Sequence, residues 1–276
     1  MNSSLKWMLG CVVPHSAVTL RNRIRRQNAV ARRRAAREKL PRGDNAVYSY
    51  EDSVTWLASQ GLDEDQVREG SMPEQSLSFI HCHLRRLLGS GPVTVLHIGN
   101  YVGVSLAYVV NAASNINAAS IVIAVDPNIP HRGISNPQSH ATRLLSRYGL
   151  QKNCVIICGY SLLKNQGDDG GYIYGQEKVV RERYAAESAS EGVLANLGGL
   201  LSHRIDCAFI DGNHDGLYLA AELEAITQLL RPGGLLVLDD VSEAWFEISA
   251  VFEHFKKDRA IRESFQDGRV GLVVLD

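Results

Sequence analysis

From residue 92 onward, short apolar runs alternate with longer stretches whose apolar residues recur every three or four positions. The runs Thr94–Ile98, Ile121–Val125, Cys154–Cys158, Ile205–Ile210, Leu235–Leu238 and Val270–Leu275 read as strands. They are nearly continuous in Val, Ile and Leu, the pattern of strands buried on both faces. Between them, Val104–Ala113, Pro137–Tyr148, Gln176–Leu201, Leu217–Leu230 and Ser242–Lys257 carry helical spacing. Such alternation predicts an α/β fold: a Rossmann-like, doubly wound, mainly parallel sheet with helices on both faces. Earlier in the chain the pattern is helical only. Ser53–Gln60 and Pro73–Leu88 read as helices, the second with Leu77, Ile80, Leu84, Leu87 and Leu88 at helical spacing. Residues 44–91 are therefore expected to form a helical N-terminal extension of a domain spanning 92–276. His81 and His83 sit two apart on that second helix, face different sides, and do not make a metal pair.

Charge separates a third region. Residues 1–43 hold eleven Lys or Arg and one acid, Glu38, whereas the whole chain has a net charge of −1. The turn-rich LPRGDN at Leu40–Asn45 closes this basic arm. An arm of this kind suits RNA, DNA, an anionic lipid surface, an organelle-targeting role, or packing on an acidic body. No aromatic residue interleaves its arginine clusters, as a base-stacking surface would need, so packing is favoured over nucleic acid. Five scattered cysteines argue against a disulfide framework and for a reducing, cytoplasmic setting. No apolar run approaches the roughly 20 residues of a membrane span. The segment NQGDDGGYIYG, Asn165–Gly175, reads as a loop, and with the helix after it makes an insertion at about 160–204.

Candidate chemistry collects at the carboxyl ends of the expected strands, where open α/β sheets bind ligands. VLHIGNYVGVS, Val95–Ser105, is strand, G-x-x-x-G and helix. Glycines at such a turn let backbone approach a ligand and aim N–H groups at it. The dinucleotide fingerprint G-x-G-x-x-G is absent, which disfavours a pyrophosphate and an NAD-dependent oxidoreductase and favours a nucleoside without phosphate. Asp126 ends the second strand, where a carboxylate can grip a ribose diol; otherwise it caps the turn at Pro127. FIDGNHDG, Phe209–Gly216, and LLVLDD, Leu235–Asp240, both run from apolar strand into acid. Asp211, Asp239 and Asp240 at adjoining strand ends would repel one another unless a cation such as Mg²⁺ lies between them; the alternative is that they cap turns and helices. His214, one short turn past Asp211, is placed to act as general base on a hydroxyl, or else to cap the helix near Leu217.

These pieces in this order resemble a class I S-adenosylmethionine-dependent methyltransferase, over about Val93 to Asp276. The stretch CAFIDGNHDGLYLAAELEAITQLLRPGGLLVLDDV is similar to the catechol-O-methyltransferase-like group, including bacterial enzymes that act on sugars and macrolide glycosides. The resemblance implies a seven-stranded sheet. It implies that Gly99, Gly103 and Ser105 wrap the methionine end of the cofactor, that Asp126 holds the ribose, and that Tyr160 and Ser161 flank the adenine. It matches Asp211, Asp239 and Asp240 to divalent-metal positions and His214 to the base. His97 stands where the family carries an acid that holds the cofactor's amino group. The expected reaction is metal-assisted methylation of a hydroxyl on a small-molecule or sugar acceptor. Asp211 and His214 are its catalytic residues, and S-adenosylmethionine and a divalent cation its cofactors. The rivals are an RNA or protein methyltransferase docked by the basic arm, and a binding module that keeps the cofactor fold without the chemistry. Neither the acceptor nor a homo-oligomeric state is encoded in a pattern that can be read.

Overall fold

A computed structural model describes residues 48–162, 192–201 and 203–276. The basic arm, the first residues of the expected extension and most of the insertion, including the start of the expected helix Gln176–Leu201, lie outside the described residues. The N-terminal extension folds as α1 (Tyr50–Ser59), α2 (Glu64–Glu69) and α3 (Glu74–Leu88). The sheet domain follows as β1 (Thr94–Ile98), α4 (Val104–Ile116), β2 (Ile121–Asp126), α5 (Pro137–Arg147) and β3 (Cys154–Cys158). It continues with α6 (Val193–Leu201), β4 (Ile205–Ile210), α7 (Gly216–Leu229) and β5 (Leu230–Leu238), and closes with α8 (Phe246–Asp258), β6 (Ile261–Asp267) and β7 (Val270–Leu275).

The seven strands form one sheet in the order β3-β2-β1-β4-β5-β7-β6. β1 to β5 are parallel, while β7 runs antiparallel to β5 and to β6. Strand order reverses between β1 and β4, and this opens a crevice at their carboxyl ends. Alternate side chains of each central strand serve different layers. Val95, Phe209, Val237 and Leu272 face the layer of α1, α3, α4 and α5, and pack with Leu57, Leu77, Ile80 and Leu144. Leu96, Ile98, Ile210 and Leu238 face α6, α7 and α8, and pack with Leu194, Leu223, Ile226 and Phe252. Burial on both faces explains why these strands read as unbroken apolar runs.

β6 escapes that pattern. Its sequence IRESFQD alternates half-buried and exposed positions, because it is an edge strand with one solvated face. The β6–β7 hairpin turns at Gly268, with φ +56°, and delivers Arg269 to the carboxyl edge of β5.

Candidate active site

A cavity of about 540 Å³ occupies the crevice at the switch point. That is within the range of small-molecule sites, roughly 300–1,000 Å³. Its walls include Gly99, Asp126, Tyr160, Ser161, Asp211, His214 and Asp240, drawn from the ends of β1, β2, β3, β4 and β5. Residues 110 or more positions apart in sequence are thereby brought to one surface. His97, Gly103, Ser105 and Asp239 do not line it.

The β1–α4 turn forms the cavity's inner wall. Gly99 has φ +84° and its N–H donates to the Val125 carbonyl at 3.0 Å, so the turn is pinned to β2. A methyl group on Gly99 would fall on the backbone carbonyl of Asp211. Gly103, with φ +91°, is required by packing instead: a methyl there would lie 2.6 Å from Ala141 Cα on α5. Ser105 is buried, and its hydroxyl accepts from the Met72 N–H at 3.0 Å, tying α4 to the N-terminal extension. Asp126 organises the turn. Its Oδ2 accepts from the N–H groups of Asn100 at 2.7 Å and Tyr101 at 3.3 Å, and its Oδ1 accepts from Asn128 N–H at 2.7 Å. Oδ1, with one accepted bond, keeps a second lone pair for a ligand hydroxyl.

His97 faces the helical layer. It is fully buried, its ring lies nearly parallel to Phe209 at 5.8 Å, and Nδ1 is 3.2 Å from Asn100 Oδ1. Burial pulls its pKa down to about 4, against the opposing hydrogen bond from Asn100, so the ring is neutral at pH 7. His97 is therefore part of the core beneath the glycine turn and not of the cavity wall.

At the far end, Ser161 donates a short hydrogen bond to Glu222 Oε1 and lies 2.9 Å from the Tyr218 hydroxyl. Tyr218 also accepts from the Leu162 N–H and donates to the Leu162 carbonyl, each at 3.1 Å. Glu222 is 0% exposed, borders the cavity, and its Oε2 has no hydrogen-bond partner among the described residues. Burial raises its pKa to about 7, opposed by the Ser161 bond. A carboxyl whose folded pKa lies above its unfolded value favours the fold least when ionised. Stability should therefore fall as pH rises from about 4.5 through 7. Glu222→Gln removes the penalty and should stabilise the protein by about 3 kcal/mol at pH 8 and by nearly nothing at pH 4.5. Urea titrations at the two pH values check this; equal effects at both would refute it. Nothing in the sequence reading singled Glu222 out. The available signal was an acid between Leu219, Leu223 and Ile226 on the buried stripe of α7.

The carboxylates and His214 form the remaining wall. His214 is not the helix cap: Asp215 caps α7, accepting from Tyr218 N–H at 2.9 Å. His214 Nε2 instead lies 2.8 Å from Asp240 Oδ2, and its ring centroid is 4.2 Å from that of Trp245, the two rings tilted by 32°. With Asp240 accepting from Nε2–H, Nδ1 is left as the basic nitrogen. Asp239 and Asp240 do not cap the short turn Glu243–Trp245 that follows, whose N-cap residue, Ser242, makes no side-chain cap hydrogen bond. Asp239 receives Arg269 Nε at 2.8 Å and Nη2 at 2.6 Å, one on each oxygen. Arg269 Nη2 also reaches Asp240 Oδ1 at 2.7 Å. Asp211 is held well above the usual carboxylate range by burial and by the charges of Asp239 and Asp240, with Arg269 opposing. Asp239 is also raised, because burial outweighs the Arg269 pairing. One ligand atom each from Asp211, His214 and Asp240 lies within 4.8 Å of the others, a spacing a metal ion could bridge. Yet Asp239 and Asp240 spend all four carboxylate oxygens on Arg269 and His214. As arranged, a divalent cation at this point would have to compete with the Arg269 guanidinium for Asp239 and Asp240.

A family model described as "Methyltransferase domain" matches residues 96–241, the span from β1 to just past Asp240. The chain belongs to this family of S-adenosylmethionine-dependent methyltransferases. Among curated proteins none matches the sequence. Solved structures similar to the methyltransferase include the O-methyltransferase from Bacillus cereus in complex with S-adenosylhomocysteine. It is 13% identical with a TM-score of 0.53, over 89% of this chain and 97% of that one. An S-adenosylhomocysteine-bound methyltransferase from Podospora anserina is 12% identical with a TM-score of 0.51, over 96% and 98% of the two chains. TomG, an O-methyltransferase from Streptomyces achromogenes solved with S-adenosylmethionine, is 13% identical with a TM-score of 0.50, over 84% and 92%. At these identities the likeness is one of fold: the Rossmann-like seven-stranded sheet expected from the sequence is the sheet of the methyltransferase. No helix among the described residues is long and apolar enough to cross a membrane.

Proposed function

We propose that the protein is an O-methyltransferase acting on a hydroxyl of a small molecule or sugar, with His214 as the general base. The observation that carries the proposal is the cavity itself, in which the Gly99 turn and the His214–Asp240 pair face the same space. S-adenosylmethionine would lie along the carboxyl edge from Gly99 past Asp126 to Ser161, its methyl group toward His214. The acceptor oxygen would take the methyl group from the sulfonium, forming the O–C bond while the C–S pair stays with sulfur as S-adenosylhomocysteine; His214 Nδ1 would take the acceptor proton. Alignment and desolvation of the two reactants supply most of the rate. Tyr101, Ile129 and Trp245 border the same cavity and offer flat or apolar surface to an acceptor ring. Glu69 and Arg132 also border it and pair with each other at 3.1 Å.

Thermal unfolding with and without S-adenosylhomocysteine tests the cofactor half. At 100 times its dissociation constant the ligand should add about 2.7 kcal/mol of stability. A shift with NADH and none with S-adenosylhomocysteine would overturn the proposal. Release of S-adenosylhomocysteine from a panel of phenols and sugars tests the acceptor half.

A further inference from the structure

We infer that Arg269 fills the place that the family resemblance gives to a divalent cation, so that this methyltransferase carries its site cation on its own chain. Three carboxylates, Asp211, Asp239 and Asp240, meet at the ends of β4 and β5, and a positive charge beside them relieves their mutual repulsion. The guanidinium of Arg269 supplies it. It binds Asp239 through two parallel N–H bonds and shares Nη2 with Asp240. A planar fork of this kind fixes geometry as well as charge. Asp239 has 1% side-chain exposure and Asp240 7%, so the guanidinium replaces much of the hydration these carboxylates would otherwise have. Asp240, with Oδ1 held by Arg269, presents Oδ2 to His214. Arg269 is thus a positioning residue: it sets the carboxylate that sets the imidazole. It also borders the cavity, so its charge is felt where an acceptor oxygen gains negative character.

The sequence order explains the substitution. The cation does not come from solvent; it arrives on the β6–β7 hairpin, whose turn at Gly268 points Arg269 back over the end of β5. The catalytic meaning of the inference rests on the proposed methyl transfer, but the charge arrangement does not, and the two can fail separately.

The experiment is a titration of the full chain with Mn²⁺, followed by the electron paramagnetic resonance signal of the free ion, beside thermal unfolding in Mg²⁺ and in EDTA. The parent should leave Mn²⁺ free at millimolar concentration and should unfold at the same temperature in both buffers. Arg269→Ala frees the oxygens of Asp239 and one of Asp240, and should gain one Mn²⁺ per chain and a midpoint that rises with the metal. Asp211→Asn in that background should weaken the new binding at least tenfold. Stoichiometric Mn²⁺ binding by the parent, lost in Asp240→Asn, would overturn the inference, as would a folded Arg269→Ala chain that takes up no metal. Should Arg269→Ala fail to fold, the parent titration decides alone. S-adenosylhomocysteine binding, measured in EDTA, is read independently. Its absence would sink the proposed function while leaving the Mn²⁺ result standing.

Discussion

Alanine at position 214 is expected to lower turnover about 10²–10⁴-fold on any hydroxyl acceptor the protein methylates, the usual contribution of a positioned base. In barrier terms that is roughly 3–5 kcal/mol. The loss should fall on turnover and leave S-adenosylhomocysteine affinity within a few-fold, because the proposed role of His214 is to take the acceptor's proton and not to hold the nucleoside. The surrounding contacts sharpen the expectation. Asp240 takes the Nε2 side of the ring and Trp245 covers one face, so the imidazole has one orientation and one basic nitrogen. Asp240→Asn should therefore lower turnover in the same direction but by less, since an amide at that place can donate to Nε2 and force the proton onto the wrong nitrogen. Initial rates of S-adenosylhomocysteine release, measured for both variants with cofactor affinity alongside, check the pair. Turnover of His214→Ala within a few-fold of the parent would remove the base from the mechanism and leave positioning as the source of rate.

Fold and site were legible in the sequence to different depths, for physical reasons. The central strands announced themselves because burial on both faces demands Val, Ile and Leu without interruption. The carboxyl edge announced itself because those runs stop at Gly99, Asp126, Asp211 and Asp239. β6 stayed hidden because an edge strand is half solvated and carries charge, and with it went Arg269, whose partners lie 30 residues away across a hairpin. Without Arg269, three acids at adjoining strand ends pointed to a metal; with it, two of them have a cation already. Glu222 was hidden for the converse reason: a helix read by its apolar period gives no weight to the one acid on the same stripe. His97 was visible as an oddity at the cofactor turn. Its meaning depended on which face of β1 it occupies, and strand parity alone could not assign that face before the sheet's layers were known. The resemblance placed Gly103 and Ser105 at the cofactor, whereas their contacts are with Ala141 and Met72, so they shape the turn from behind.

The second large effect belongs to Gly99. Gly99→Ala is expected to destabilise the protein by about 4 kcal/mol or more and to abolish S-adenosylhomocysteine binding. Two costs add. The residue has φ +84°, where an L side chain is strained by about 1 kcal/mol. The methyl group would also coincide with the backbone carbonyl of Asp211, and neither chain can yield. Gly99 N–H is bonded to Val125, and Asp211 N–H donates to the Ile98 carbonyl at 2.9 Å, so both segments are held by the sheet itself. Relief of the clash requires parting β1 from β4 at the switch point, where the cavity opens. A domain of this size loses roughly 2–4 °C of midpoint per kcal/mol, so a fall of order 10 °C is expected where the chain folds at all. Gly61→Ala is the control: its φ of +104° is at least as unfavourable, but a methyl there meets nothing within 4 Å. Chemical denaturation of both variants separates strain from collision. A Gly99→Ala chain no less stable than Gly61→Ala would mean that β1 and β4 part at little cost, and the cavity's inner wall would then be a moving surface instead of a fixed one.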